Sequence, residues 1–211
     1  MDYNNLYSKM INDLKSRSEV SIIKNDFYLK DELAPGFLEK HPYFKNGSND
    51  LHVLNDNHFS WNCQQKNREQ RPRGEFHFVS IEDALSPANK KEFSFNSSGQ
   101  NEQASFYPFD DHPDGGDGIM GCFKITGKDY RIWLHNENGE MFLMELDLAG
   151  YLQQTFKLKA IFGWQYLFVN IDLTQPVYSV VRSDLVKRIQ ILDTLFPEQS
   201  YNDLLKKLKK L

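Results

Sequence analysis

The chain has 211 residues, a formal net charge of −4 and 26% charged residues, a size at which roughly 70% of the unfolded surface is hidden on folding and one full core can form. This balance excludes a disordered chain, and two cysteines, Cys63 and Cys122, are too few for a disulfide scaffold and lack zinc-type spacing, so both are expected as buried thiols. No run approaches the roughly eighteen apolar residues of a membrane helix, and the first residues lack a basic segment followed by an apolar one, so a cytoplasmic protein without membrane contact is expected.

In chain order, Tyr3, Leu6, Tyr7, Met10 and Leu14 recur at helical spacing and predict a first amphipathic helix. A short helix is expected near 35–40, opened by Pro35 and closed by Pro42. Residues 44–50 are turn chemistry, and 51–61 predict one or two extended segments. The polar tract 63–74 has no apolar period and predicts a solvated loop or hairpin tip. It leads into a strand over 75–81 with Phe76 and Phe78 on one face and His77 on the other. Ser80 and Asp83 suit a capping arrangement that starts a helical turn. Residues 86–104 predict a second long polar connection. Extended chain over 105–109, an acidic loop and a strand over 119–125 follow. A hairpin of 130–135 and 140–146 comes next, closed by Asn138-Gly139, whose positive φ angles suit such a turn. Asp147 caps a helix carrying Leu148, Tyr151, Leu152 and Phe156, expected to run to Phe162 and stop at Gly163. Helices over 183–195 and 200–211, parted by Pro197, complete an α+β order of elements.

Charge is uneven. From Arg182 onward the balance is +3, which leaves −7 on the preceding residues. An acidic body disfavours nonspecific nucleic-acid binding, which needs a basic face to displace counterions, and favours a basic protein partner. The loop FDDHPDGGDG gathers Asp110, Asp111, Asp114 and Asp117 around His112. Such oxygen density suits a hard cation, but the twelfth position counted from Asp110, where an EF-hand loop needs Glu, is Gly121. Asp and Gly are also ordinary turn formers, so a plain strand connection, a protein-contact loop and a metal site all stand. The six histidines, at 41, 52, 58, 77, 112 and 135, are scattered singly without metal-ligand spacing and are expected as surface or hydrogen-bonded side chains. No GxSxG, P-loop or GxGxxG occurs, which points away from an enzyme, and no catalytic, cofactor or metal residue is assigned. Trp133 and Trp164 sit in apolar surroundings and are expected in the core, whereas Trp61, ahead of Arg68, Arg71 and Arg73, is expected as a surface anchor for a partner. The tail LLKKLKKL either binds a partner or membrane surface or docks on the core.

Particular residues carry a resemblance. Pro35-Gly36-Phe37-Leu38 precedes Asn46-Gly47, a segment ends at Trp61, and Gly74-Glu75-Phe76-His77-Phe78 leads to Ile81-Glu82-Asp83-Ala84. Downstream come the extended 106–109, the acidic loop, the Asn138-Gly139 hairpin, Tyr151-Leu152 and Trp164-Gln165-Tyr166-Leu167-Phe168. This layout resembles the SUKH superfamily of bacterial immunity proteins and fungal cell-wall regulators over roughly residues 5–170. The inserts 63–74 and 86–104 and the extension 171–211 depart from it. The resemblance implies a bent, mostly antiparallel sheet flanked by helices in one domain with a helical C-terminal extension. It also implies a non-enzymatic module that occludes a cognate toxin, often a nuclease, and offers no catalytic residues to carry over. The partner-binding candidates are Asp110, Asp111, Asp114, Asp117 and Trp61. A regulatory scaffold is the alternative function, and a metal-dependent enzyme built on the Asp-rich loop is another.

Overall fold

The computed structural model describes residues 1–64, 72–97, 100–116 and 118–210. Helix α1 (Tyr3–Lys15) starts at Asp2, whose carboxylate accepts the Asn5 N–H at 3.0 Å. Its stripe buries Tyr3, Tyr7, Met10, Ile11 and Leu14, as the spacing predicts. Strand β1 (Val20–Asp26), the short helix α2 (Phe37–Lys40) and two 3-10 turns (Pro42–Phe44 and Ser48–Val53) lead to β2 (Asn57–Cys63) and β3 (Arg73–Phe78). Then come α3 (Ile81–Ala84), β4 (Lys91–Ser97), β5 (Gln100–Asp111), β6 (Met120–Thr126), β7 (Asp129–His135) and β8 (Met141–Leu143). Helices α4 (Leu148–Lys157), α5 (Ser179–Leu195) and α6 (Asn202–Lys210) close the chain. All eight strands pair antiparallel in one open sheet of order β1-β2-β3-β5-β6-β7-β8, with β4 paired to β5. This is the α+β class read from the order of elements.

Strand β5 is shared between two pairings. Its first half pairs with β4, from Lys91↔Phe106 to Ser97↔Gln100. Its second half lies between β3 and β6, with a register shift between Pro108 and Asp110. A bulge of this kind kinks a strand and re-aims the side chains beside it. The inner face of the sheet packs Phe59, Phe76, Phe78, Phe109 and Phe123 against α1 and α4 as one aromatic core. On the outer face, the β4–β5 hairpin covers β6 and β7 with Phe95, Phe106, Cys122, Met141 and the flanking Trp133, and the Lys124 ammonium sits 3.8 Å from the centre of the Phe95 ring.

Several elements differ from expectation. The stretch 86–104 is not a polar connection, because Phe93, Phe95, Ala104 and Phe106 alternate on one face of a hairpin whose other face is solvated. Glu92, Ser94, Gln103 and Ser105 form that outward face. Strand β1 carries no clean alternation, having a bulge between Ile22 and Lys24, and residues 51–53 are a 3-10 turn rather than extended chain. The α4 helix ends at Lys157, since Lys159 and Ala160 take left-handed φ angles of 56° and 52°. The Lys159 ammonium is buried there, which lowers its pKa, and it donates to Asp13 at 2.7 Å and Gln199 at 3.0 Å, bonds that offset the desolvation. At the β7–β8 turn only Gly139 has positive φ, while Asn136 Oδ1 accepts the N–H groups of Asn138 and Glu140.

Ser80 caps α3 and Asp147 caps α4, each accepting the backbone N–H three residues on. Cys63 and Cys122 are buried and form no disulfide. Trp164 is buried in the main core. The C-terminal helices dock on that core through Leu185, Ile189, Leu192, Phe196, Tyr201 and Leu208. Arg182 Nε donates to the Leu208 carbonyl at 2.9 Å, so the leucine-rich tail lies against the body. No helix among the described residues is long and apolar enough to cross a membrane.

Candidate functional site

The period of two in β2 and β3 decides which side chains meet. Phe59, Trp61 and Cys63 point into the core with Phe76 and Phe78. His58, Ser60, Glu75 and His77 stand on the outer face. The pairing His58↔His77 brings the two imidazoles to 5.2 Å between ring centres. Strand β5 then sets Asp111 opposite His77, and the loop after it returns Asp114 over the same face.

Glu75 anchors this arrangement. It is 1% exposed, and its two oxygens accept the backbone N–H groups of Asp114 at 2.8 Å and Gly115 at 2.7 Å. Gly115 is required for so close an approach, because a Cβ there would lie 2.2 Å from the Phe162 ring and 2.9 Å from Glu75 Oε2. The His58 imidazole lies with Nε2 3.2 Å from Glu75 Oε1 and 3.4 Å from Asp114 Oδ2, and the Ser60 hydroxyl donates to that same Asp114 oxygen at 3.1 Å. His58, Glu75 and Asp114 form the grouping of three His, Cys, Asp or Glu side chains, among the described residues, whose ligand atoms all lie within 4.8 Å of one another.

His77 is held between two carboxylates, Asp111 at Nδ1 (2.7 Å) and Asp56 at Nε2 (2.9 Å). With both ring nitrogens donating to anions, the imidazolium is favoured and its pKa rises to about 9, chiefly through the bond to Asp111. Asp56 has a left-handed φ of 54°, a conformation that Asp tolerates better than most residues. Four carboxylates, from Asp56, Glu75, Asp111 and Asp114, thus face one imidazolium and His58. Asp26, opposite His58, extends the acidic area across β1, while Lys24, opposite Ser60, adds a cation. Asp111 and Asp114 are about 40% exposed, enough for a macromolecule to reach them.

The candidates read from the sequence divide. Asp111 and Asp114 belong to this face. Asp117 lies outside the described residues, as do Arg68 and Arg71. Asp110 does not belong: the bulge turns its side chain inward, where it is 1% exposed and accepts from the His77 N–H at 3.1 Å and the Tyr151 hydroxyl at 2.6 Å. Burial pushes its pKa up to about 7. Trp61 is likewise corrected from a surface anchor to a core residue. It is 2% exposed and its indole N–H donates to the Lys159 carbonyl at 2.6 Å. Gly74 across the strand pair makes the room, since a Cβ there would sit 2.3 Å from that nitrogen.

His58, Glu75 and His77 carry no functional signal in the sequence, because nothing in their spacing foretells that β2 and β3 pair in this register. The exposed aromatic near the face is Tyr28. It is 70% exposed, while its backbone is fixed by the Asn57 side chain at the start of β2. A separate cleft of about 580 Å³ lies between the Ser48–Val53 turn and β7–β8. Two of its carboxylates are already occupied, Asp50 by the Tyr3 hydroxyl and Asp147 by the first turn of α4. No protein family matches this chain, and no curated protein or solved structure is similar to it.

Proposed function

We propose that this protein is a non-catalytic binding module that holds a basic surface of a partner protein on the outer face of β2 and β3, as an immunity protein occludes a toxin domain. The observation that carries the reading is a pre-formed acidic face: Asp56 just before β2, Asp111 at the end of β5 and Asp114 on the loop that the buried Glu75 pins by two backbone hydrogen bonds. The residue layout that resembles SUKH proteins supports it, as does the acidic balance of the first 181 residues.

The physics of such a face favours recognition over turnover. Carboxylates fixed before encounter need no ordering on binding, so arginine and lysine groups of a partner meet them at little entropic cost. Their summed field steers encounter and makes association fast and salt-sensitive. Tyr28 at the border supplies a large amphipathic side chain of the kind that dominates interface energetics.

The test is affinity capture from the cell that encodes the chain, with wild type beside Asp111→Lys/Asp114→Lys. The expected result is a basic protein retained at one-to-one ratio by the wild type, released by a few hundred millimolar salt and lost at least tenfold in the variant. Retention of the same partner by both proteins, indifferent to salt, would overturn the reading.

A further inference from the structure

Three potential ligand atoms converge on this face, all within 4.8 Å of one another. Ligand bonds of about 2.0–2.1 Å in tetrahedral geometry place neighbouring donor atoms roughly 3.3 Å apart. His58 Nε2 is 3.2 Å from Glu75 Oε1 and 3.4 Å from Asp114 Oδ2. We propose that His58 Nε2, Glu75 Oε1 and Asp114 Oδ2 bind one zinc-class divalent ion, with its remaining position open to solvent.

Three features of the surroundings support this assignment. The ligands come from a sheet rather than a free loop: His58 and Glu75 stand on adjacent paired strands, and Asp114 is tied back by its own N–H to Glu75. Glu75 is buried, and each carboxylate oxygen has two acceptor directions, so Oε1 accepts the Asp114 N–H and still has a lone pair for an ion. Ser60 donates to the ligating oxygen of Asp114 and orients it, the outer-shell support that metal carboxylates commonly have. Ligation through Nε2 needs the neutral imidazole with its one proton on Nδ1, which leaves an Nε2 lone pair for the ion.

The donor set selects the metal. One imidazole nitrogen and two carboxylate oxygens, without thiolate, suit zinc or its first-row neighbours, whereas magnesium and calcium prefer oxygen alone. An ion of charge +2 would also cancel about half the negative charge of the four carboxylates. Metal load would therefore weaken attraction for a basic partner. That consequence rests on the partner reading, but the binding of the ion does not.

The test is calorimetric titration of zinc chloride into the chelator-treated full chain, with magnesium and calcium chloride as comparators. Wild type is expected to take one equivalent of zinc at least 100-fold more tightly than either comparator, and to gain thermal stability on loading. His58→Gln and Asp114→Asn should each weaken zinc at least tenfold, while His41→Gln, which lies outside this face, should match wild type. Asp114 is half exposed and asparagine still accepts from Ser60, so this variant decides the question if His58→Gln fails to fold. The proposal is overturned by any of three results: no stoichiometric zinc binding, zinc binding unchanged in Asp114→Asn, or magnesium or calcium bound as tightly as zinc. None of these outcomes bears on capture of a partner in metal-free buffer, so the two readings fail separately.

Discussion

The outer face of the sheet is treated in two ways. Over β5, β6 and β7 it is covered by the β4 hairpin and is aromatic, with Phe95, Phe106 and Trp133 in mutual contact. Over β2 and β3 it is left open and carries His58, Glu75, His77 and the carboxylates around them. One half is an extension of the core, where shape and apolar area decide. The other half sets a buried carboxylate, Glu75, and a clamped imidazolium, His77, beneath the half-exposed Asp111 and Asp114, an arrangement that costs stability unless each charge is paired.

Substitutions on the two halves should therefore differ in kind. The largest loss of stability is expected from Phe95→Ala on the covered half, about 3 kcal/mol by chemical denaturation, with partner and metal binding retained. Glu75→Gln on the open half comes next, on the order of 2 kcal/mol, because one backbone N–H then faces an amide N–H₂. Hydrogen exchange should show the Asp114 and Gly115 amides losing protection first.

Asp110→Asn probes the seam between the halves and is read through pH. The folded pKa of Asp110 stands at about 7 against an ordinary 3.8, so its protonated form is favoured by folding. The stability it contributes is fully present below about pH 4 and is lost as pH rises through 7, on the order of 4 kcal/mol in all. Asn has no such titration, so the stability difference between wild type and variant should shift in favour of the variant between pH 4 and 8. A constant difference across that range would contradict the buried, raised carboxylate. The smallest stability change is expected from Tyr28→Ala, within about 0.5 kcal/mol of wild type, accompanied by a loss of partner affinity of tenfold or more.

Much of the fold was legible in the residues. The helical spacing of Tyr3, Tyr7, Met10 and Leu14, the caps at Ser80 and Asp147 and the alternation of Phe76 with Phe78 are local signals, and each led to the right element. The site was legible only in part. Asp111 and Asp114 announced themselves by density in a loop, but their partners His58, Glu75 and His77 arrive through the pairing of three strands, which single-residue spacing does not encode. Asp110 and Trp61 misled for one reason. A polar neighbourhood along the chain suggests exposure in space, whereas the bulge beside Pro108 and the absent side chain at Gly74 let both turn inward. The hairpin at 91–106 shows the converse, since Glu92, Ser94, Gln103 and Ser105 belong to the wet face of a strand pair rather than to a loop.

The central claim is that the open half of the outer face is where a partner is held. Hydrogen exchange of the full chain, alone and with the partner captured by affinity, addresses it directly. The account predicts new protection at residues 56–60, 75–78 and 110–116 on complex formation and none around the cleft at Asp50. Protection confined to that cleft or to the C-terminal helices, with the β2–β3 face unchanged, would contradict it.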